Sequence, residues 1–138
     1  MAKARITKSA SQLAVRPAAG RKRAFKTKWF AKEARLAGIS DADLCEAVAE
    51  IWQGKADDLG GGVWKKRLNN NQDRSIILAK GKRYWIYACL FSKNDQANID
   101  DDELAGFNKL AKIYERLTDA DVANDVLAKK LNEICHDC

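Results

Sequence analysis

Lys65 and Arg67 are the residues of this chain best suited by type and spacing to do chemistry. They lie in Leu59-Gly60-Gly61-Gly62-Val63-Trp64-Lys65-Lys66-Arg67-Leu68, where a glycine triplet reads as a flexible hinge feeding a short cationic strand. Side chains alternate along a strand, so Lys65 and Arg67 share one face while Trp64, Lys66 and Leu68 take the other. Two cations held side by side on a rigid sheet repel unless an anion lies between them, and phosphate suits a lysine–arginine pair best. RNA is therefore the first ligand to consider. Lys66, on the side of Trp64 and Leu68, reads as a structural lysine that snorkels at the sheet edge. The rival reading of the whole run is a solvated edge strand whose lysines block aggregation.

The elements that must position these cations show in the flanking pattern. Residues 24–29 alternate Phe25, Thr27 and Trp29 against Lys26 and Lys28, as a half-buried strand does. Phe30, Ala34 and Ala37 then follow helical spacing up to Gly38, a residue suited to end a helix. Ser40 with Asp43 marks a second helix start, Ile39 and Leu44 can form a staple, and Leu44, Val48, Ile51 and Trp52 line one face. That helix stops near Gln53-Gly54, and Asp57-Asp58-Leu59 leads into the glycines. Beyond the cationic strand, residues 69–73 form a polar turn, residues 74–79 a central strand and Lys80-Gly81-Lys82 a tight hairpin turn. Residues 84–91 are apolar on both faces, as in a strand covered on both sides. Leu104, Phe107, Leu110, Ala111, Tyr114 and Leu117 predict a third helix, with four acids in its first turn complementing the dipole. Thr118-x-x-Asp121 starts another, with the weaker stripe Val122, Val126, Leu131 and Ile134. The expected fold is α+β: a small, antiparallel-dominated sheet in the order strand-helix-helix-strand-strand-strand-helix, with the helices packed on one face.

The 138 residues are one domain's worth, and 46% hydrophobic content is enough for a real core. The net charge of +6 is unevenly spread. Residues 1–35 hold 11 Lys/Arg against the single acid Glu33, so the remainder is mildly acidic. A basic arm ahead of an acidic body points to polyanion contact through the arm and through local patches such as Lys65 to Arg67. Residues 1–23 read as a disordered basic arm, although their composition also suits a transit peptide or an over-extended translation start. Residues 24–117 form the domain, and residues 118–138 a C-terminal helix with a frayed tail. No run approaches the roughly eighteen apolar residues of a membrane span, and no secretory core precedes the domain, so a soluble, cytoplasmic protein without membrane partner is expected. Cys45, Cys89, Cys135 and Cys138 are then expected to be reduced. Cys135-His136-Asp137-Cys138 has the spacing of half a metal clamp, but no second pair of ligands matches it, and neither metal nor cofactor is expected. His136 is the only histidine, which disfavours a histidine-based triad.

Three segments resemble the RelE-like branch of the RelE/ParE toxins. They are Phe30-Ala31-Lys32-Glu33-Ala34 with Gly38-Ile39-Ser40-Asp41-Ala42; Leu59-Gly60-Gly61-Gly62-Val63 with Lys65-Lys66-Arg67; and Phe91-Ser92-Lys93-Asn94 with Ala97-Asn98-Ile99 and Asp102-Glu103-Leu104. The resemblance covers about residues 24–117. It implies the toxin of a toxin–antitoxin module, a metal-independent endoribonuclease that cuts mRNA in the ribosomal A site and so inhibits translation. The RNA's own 2′-hydroxyl would be the nucleophile. Such a reaction needs cations on the scissile phosphate, a base for the 2′-hydroxyl and an acid for the leaving 5′-oxygen. On this resemblance Lys65 and Arg67 match the family's strand-borne cations, with Lys65 able to act as base if crowding lowers its pKa. Arg74 resembles the arginine that clamps the phosphate, and Lys93 the lysine that closes the site. A cognate antitoxin from a neighbouring gene is the implied partner.

The chain departs from the family pattern at two points. Asn94 stands where active members carry an arginine, and Asp100 or its neighbours stand where they carry a base-stacking tyrosine. Tyr84 and Tyr87 could substitute, but their apolar strand makes core packing the simpler role. These departures favour two alternatives: a toxin that binds a protein target such as DNA gyrase, as the ParE branch does, or a catalytically inactive member.

Overall fold

The computed structural model describes residues 22–81, 83–96 and 98–135. The basic arm through residue 21, Lys82 of the hairpin turn, Ala97, and the tail from His136 to Cys138 lie outside the described residues. The elements run β1 (Arg23–Thr27), α1 (Lys28–Ala37), α2 (Asp41–Trp52), β2 (Asp57–Gly60), β3 (Val63–Leu68), β4 (Asp73–Lys80), β5 (Tyr84–Ser92), α3 (Asp101–Glu115), α4 (Asp119–Leu127) and β6 (Leu131–Glu133). One six-stranded sheet carries them in the order β2-β3-β4-β5-β1-β6. Only β1 and β5 pair in parallel; every other neighbouring pair is antiparallel. The α+β class and the three consecutive antiparallel strands β3, β4 and β5 stand as expected.

Three details differ from expectation. The first strand stops two residues early, because the Thr27 hydroxyl accepts from Phe30 N–H and so caps α1. Trp29 is thereby lifted out of the sheet and left 56% exposed. Two strands went unpredicted: β2, whose paired aspartates hide any strand pattern, and β6, which was read as the end of a helix. α4 ends because Lys129 takes a left-handed conformation (φ 63°), with Lys129 N–H donating to Val126 O and Lys130 N–H to Asp125 O. Holding a side-chain-bearing residue there costs about 1 kcal/mol relative to glycine. Leu131 is then free to pair with Thr27 along the open edge of β1.

The helices also divide between the two faces instead of sharing one. Alternation explains why. Ala24, Ile77, Trp85 and Tyr87 point to the face packed by Phe30, Leu44, Val48 and Ile51 of α1 and α2. Phe25, Ile76, Leu78, Tyr84 and Ile86 point to the other, where α3 and α4 supply Phe107, Leu110, Ala111 and Val122. Both sets of apolar positions need cover, so both faces carry helices. A bulge in β5 leaves Ala88 without a pairing position between Ile77↔Tyr87 and Ile76↔Cys89, and so shifts the alternation beyond it. Among the described residues, no helix is long and apolar enough to cross a membrane.

Ser40, Asp100 and Thr118 each form a capping box with the acid three residues on, which fixes where α2, α3 and α4 begin. Cys45 and Cys135 form a disulfide (Cα–Cα 5.7 Å), which corrects the expectation that both are reduced. Their 90-residue separation conceals the contact in the sequence; β6 brings the chain back beside α2. Cys89 is free and half-buried.

The glycine triplet is a tight turn between β2 and β3, not a loose hinge. Gly60, Gly61 and Gly62 all have positive φ, and α3 packs against them closely. A Cβ on Gly61 would run into Asn108 Oδ1, and one on Gly62 would lie 3.3 Å from Ala79 O. Gly54 has the same backbone sign in open space. Gly54→Ala should therefore cost only the backbone penalty of about 1 kcal/mol, and Gly61→Ala that penalty plus the displacement of the Asn108 side chain, so the Gly61 variant should be the less stable of the two by urea unfolding.

Candidate active site

The register of β3 against β4 places the predicted cations. Lys65 faces Ile76, Lys66 faces Ser75, and Arg67 directly faces Arg74. Arg74 in turn faces Phe91 on β5. Two arginines opposite one another in an antiparallel ladder have backbones about 5 Å apart, and like charges so placed destabilise the sheet. Val63 packs with the α3 cluster and Trp64 and Leu68 with the α2 cluster, so the alternation read from sequence holds. Lys66 points to the α2 side and pairs with Glu50 of that helix at 2.9 Å.

β2 pairs with β3 only from Val63 to Lys65, which leaves the outer edge at Lys66 to Leu68 without a strand neighbour. Lys65 Nζ sits 3.7 Å from Asp57 Oδ2 across that last pair. Lys65, Lys66 and Arg67 border one cleft of about 320 Å³ with Gly54 to Asp57. Arg67 is exposed, and among the described residues its guanidinium makes neither ion pair nor hydrogen bond. Arg67 also borders a groove of about 530 Å³ whose α2 wall carries Asp43, Glu46 and Glu50. A polyanion is repelled from that wall and must approach from the other side.

The sequence predicts only a polar turn between the two cationic strands. It is more specific than that. Asn69, Asn70 and Asn71 are all left-handed (φ 56°, 53° and 70°), a region that asparagine tolerates better than most residues. Asn69 Nδ2 donates to Asp73 Oδ2 at 3.0 Å, and Gln72 N–H to Asn69 O. Arg74 Nη1 donates to Asn71 O at 2.9 Å, which draws its guanidinium toward the turn. Lys93 N–H donates to Gln72 O, so the exposed Lys93 stands beside the same turn. The run of three asparagines ahead of Asp73 was the available signal.

Lys65 and Arg67 thus border a common cleft, Arg74 lies across the ladder from Arg67, and Lys93 lies at the neighbouring turn. Tyr84 and Tyr87 are elsewhere. The Tyr87 hydroxyl donates to Leu44 O at 2.7 Å, and burial pushes its pKa up. The Tyr84 hydroxyl donates to Asp119 Oδ1 at 2.8 Å, its pKa raised by burial and by that carboxylate. Asp100, at the place of the expected tyrosine, is the cap of α3. Asn94 is exposed, its N–H donating to Ser92 Oγ.

The Lys66–Glu50 pair gives a pH signature separate from catalysis. Lys66 holds the Glu50 carboxyl below its ordinary value of 4.5, first through the hydrogen bond and then through charge. A depressed acid stabilises the fold above its unfolded-state pKa and loses that contribution as pH falls through the folded-state value. Lys66→Met should therefore flatten the decline of Tm with acid below about pH 4.5, read from thermal melts across the acid range.

The family model described as the RelE toxin of the RelE/RelB toxin–antitoxin system matches residues 22–134. No curated protein and no solved structure matches the chain.

Proposed function

The chain belongs to the RelE toxin family of toxin–antitoxin systems, with an antitoxin as its partner, and from that premise we propose that it is a ribosome-dependent endoribonuclease acting on mRNA in the A site. The observation that carries this reading is the cross-strand Arg67–Arg74 pair beside Lys65. A sheet gains nothing from two facing arginines at its hairpin end, whereas a bound phosphodiester would turn that repulsion into attraction.

In the proposed reaction the 2′-oxygen of the substrate attacks the adjacent phosphorus and the bond to the 5′-oxygen breaks, that oxygen taking a proton from solvent water, to leave a cyclic phosphate and a free 5′-hydroxyl. Negative charge grows on the phosphoryl oxygens as the attacking bond forms. Arg74, held by its hydrogen bond to Asn71 O, and the exposed Arg67 would neutralise it. Lys65, as the neutral amine once it has left Asp57, is proposed to accept the 2′-hydroxyl proton, and Lys93 to close the site from the neighbouring turn. The same cluster must be silenced in the resting cell. An acidic segment of the antitoxin covering it would do so by charge complementarity.

Asp100 is committed to its helix cap and Asn94 adds no charge, which keeps a protein-target reading in play as the alternative. One experiment separates the two. In a translating extract the wild-type chain should cleave message only when ribosomes are present, and Arg67→Ala with Arg74→Ala should lower the rate at least about 100-fold. Lys65→Arg keeps the charge and removes the base, so it should be nearly as slow as Lys65→Ala. Inhibited gyrase supercoiling without cleavage would instead support the protein-target reading.

A further inference from the structure

A second charged surface lies at the opposite edge of the sheet from β2, and the cationic hairpin does not account for it. Lys28, Trp29, Ala31, Lys32 and Arg35 of α1 face Lys129 and Asn132 across a groove of about 650 Å³. None of the described residues that line it carries a carboxylate. Lys28, Lys32, Arg35 and Lys129 are all exposed, and among the described residues none of them is ion-paired. Lys28, Lys32 and Arg35 follow one another at helical spacing, which keeps them on one face. Trp29 is 56% exposed in their midst, so its indole ring is available for contact rather than spent on the core.

Lys129 supplies an independent pointer. It holds the left-handed position that ends α4, where glycine would be more stable. A lysine kept there despite its backbone cost brings a fourth cation to the rim of this groove. An aromatic face ringed by unpaired cations is the arrangement that grips an unpaired nucleic-acid strand, the ring stacking on a base and the cations meeting the flanking phosphates. An acidic peptide would satisfy the charges but leave the indole without a stacking partner.

We propose that this groove is a second RNA-binding surface, which takes an unpaired strand with Trp29 under a base and Lys28, Lys32, Arg35 and Lys129 on the phosphates. It holds RNA without cutting it, and the inference does not depend on the cleavage reading. β1 and β5 run parallel, so α1 starts toward the same end of the sheet as the hairpin that carries Arg67 and Arg74. A strand held by Trp29 therefore lies toward the same end of the sheet as the cationic hairpin, at the opposite edge.

The test measures binding of a short fluorescent 2′-O-methyl oligouridine, which lacks the nucleophile and cannot be cleaved, to the full chain carrying Arg67→Ala and Arg74→Ala. Trp29→Ala in that background should weaken binding about tenfold. Lys32→Ala with Arg35→Ala should reduce the slope of log affinity against log salt by about 1.4, the share of two phosphates on a single strand. Lys129→Gly should raise Tm while weakening binding, a combination that a purely structural role cannot produce. Unchanged affinity in the Trp29 and Lys129 variants would overturn the proposal. Equal or tighter binding of polyglutamate, competing at the same groove and salt, would overturn it in favour of a protein partner. Failure of these arms with intact cleavage by the wild-type chain would leave the proposed nuclease function standing alone.

Discussion

Pairing of β3 with β4 determines which side of the sheet each cation occupies, and the rest of the site follows from that register. Val63, Ile76 and Leu78 are completely buried on the α3 side, and Ile77 on the α2 side. A slip of one residue would exchange these sets and drive Lys65 and Arg67 toward the α2 core, so the apolar residues enforce the register against the repulsion of Arg67 and Arg74. The Ser75 hydroxyl, donating to Lys66 O at 2.9 Å, and the Asn69–Asp73 bond at the turn pin the same alignment. The charged residues are placed by the uncharged ones.

Helices on both faces leave little of this sheet open. Cations on covered positions would be useless to a large polyanion, and the exposed Arg67 sits on the stretch of β3 that β2 does not reach. Charge is also sorted by side. Lys66, the cation of β3 directed at α2, meets a carboxylate there, while Arg67, whose backbone faces Arg74, makes no such pair among the described residues. One alternating strand thus separates a structural lysine from the residues proposed to bind phosphate.

Much of this was legible in the sequence where short-range chemistry decides. Ser40 with Asp43 and Thr118 with Asp121 marked their helix starts because a capping box is local. Alternation through Trp64, Lys66 and Leu68 put Lys66 on the α2 side, where it meets Glu50. What escaped was decided at a distance. β6 forms because β1 has an open edge, and nothing in Leu131–Glu133 announces that partner. Cys45 and Cys135 looked like unrelated thiols until the returning chain joined them. Trp29 was assigned to a strand because alternation continued through it, yet one hydroxyl at Thr27 ended the strand first. The positive φ of the glycines was misread as slack because their constraint comes from α3, far along the chain.

The position of β1 bears on how the protein is made. Of the described strands it is the first to be synthesised, but its neighbours are β5 and β6, and Phe25 lies opposite Glu133. The β3–β4 hairpin can form locally and early, whereas closure of the sheet must wait for nearly the whole chain to emerge. A toxin so built has an unfinished sheet for as long as β6 is still inside the ribosome that makes it.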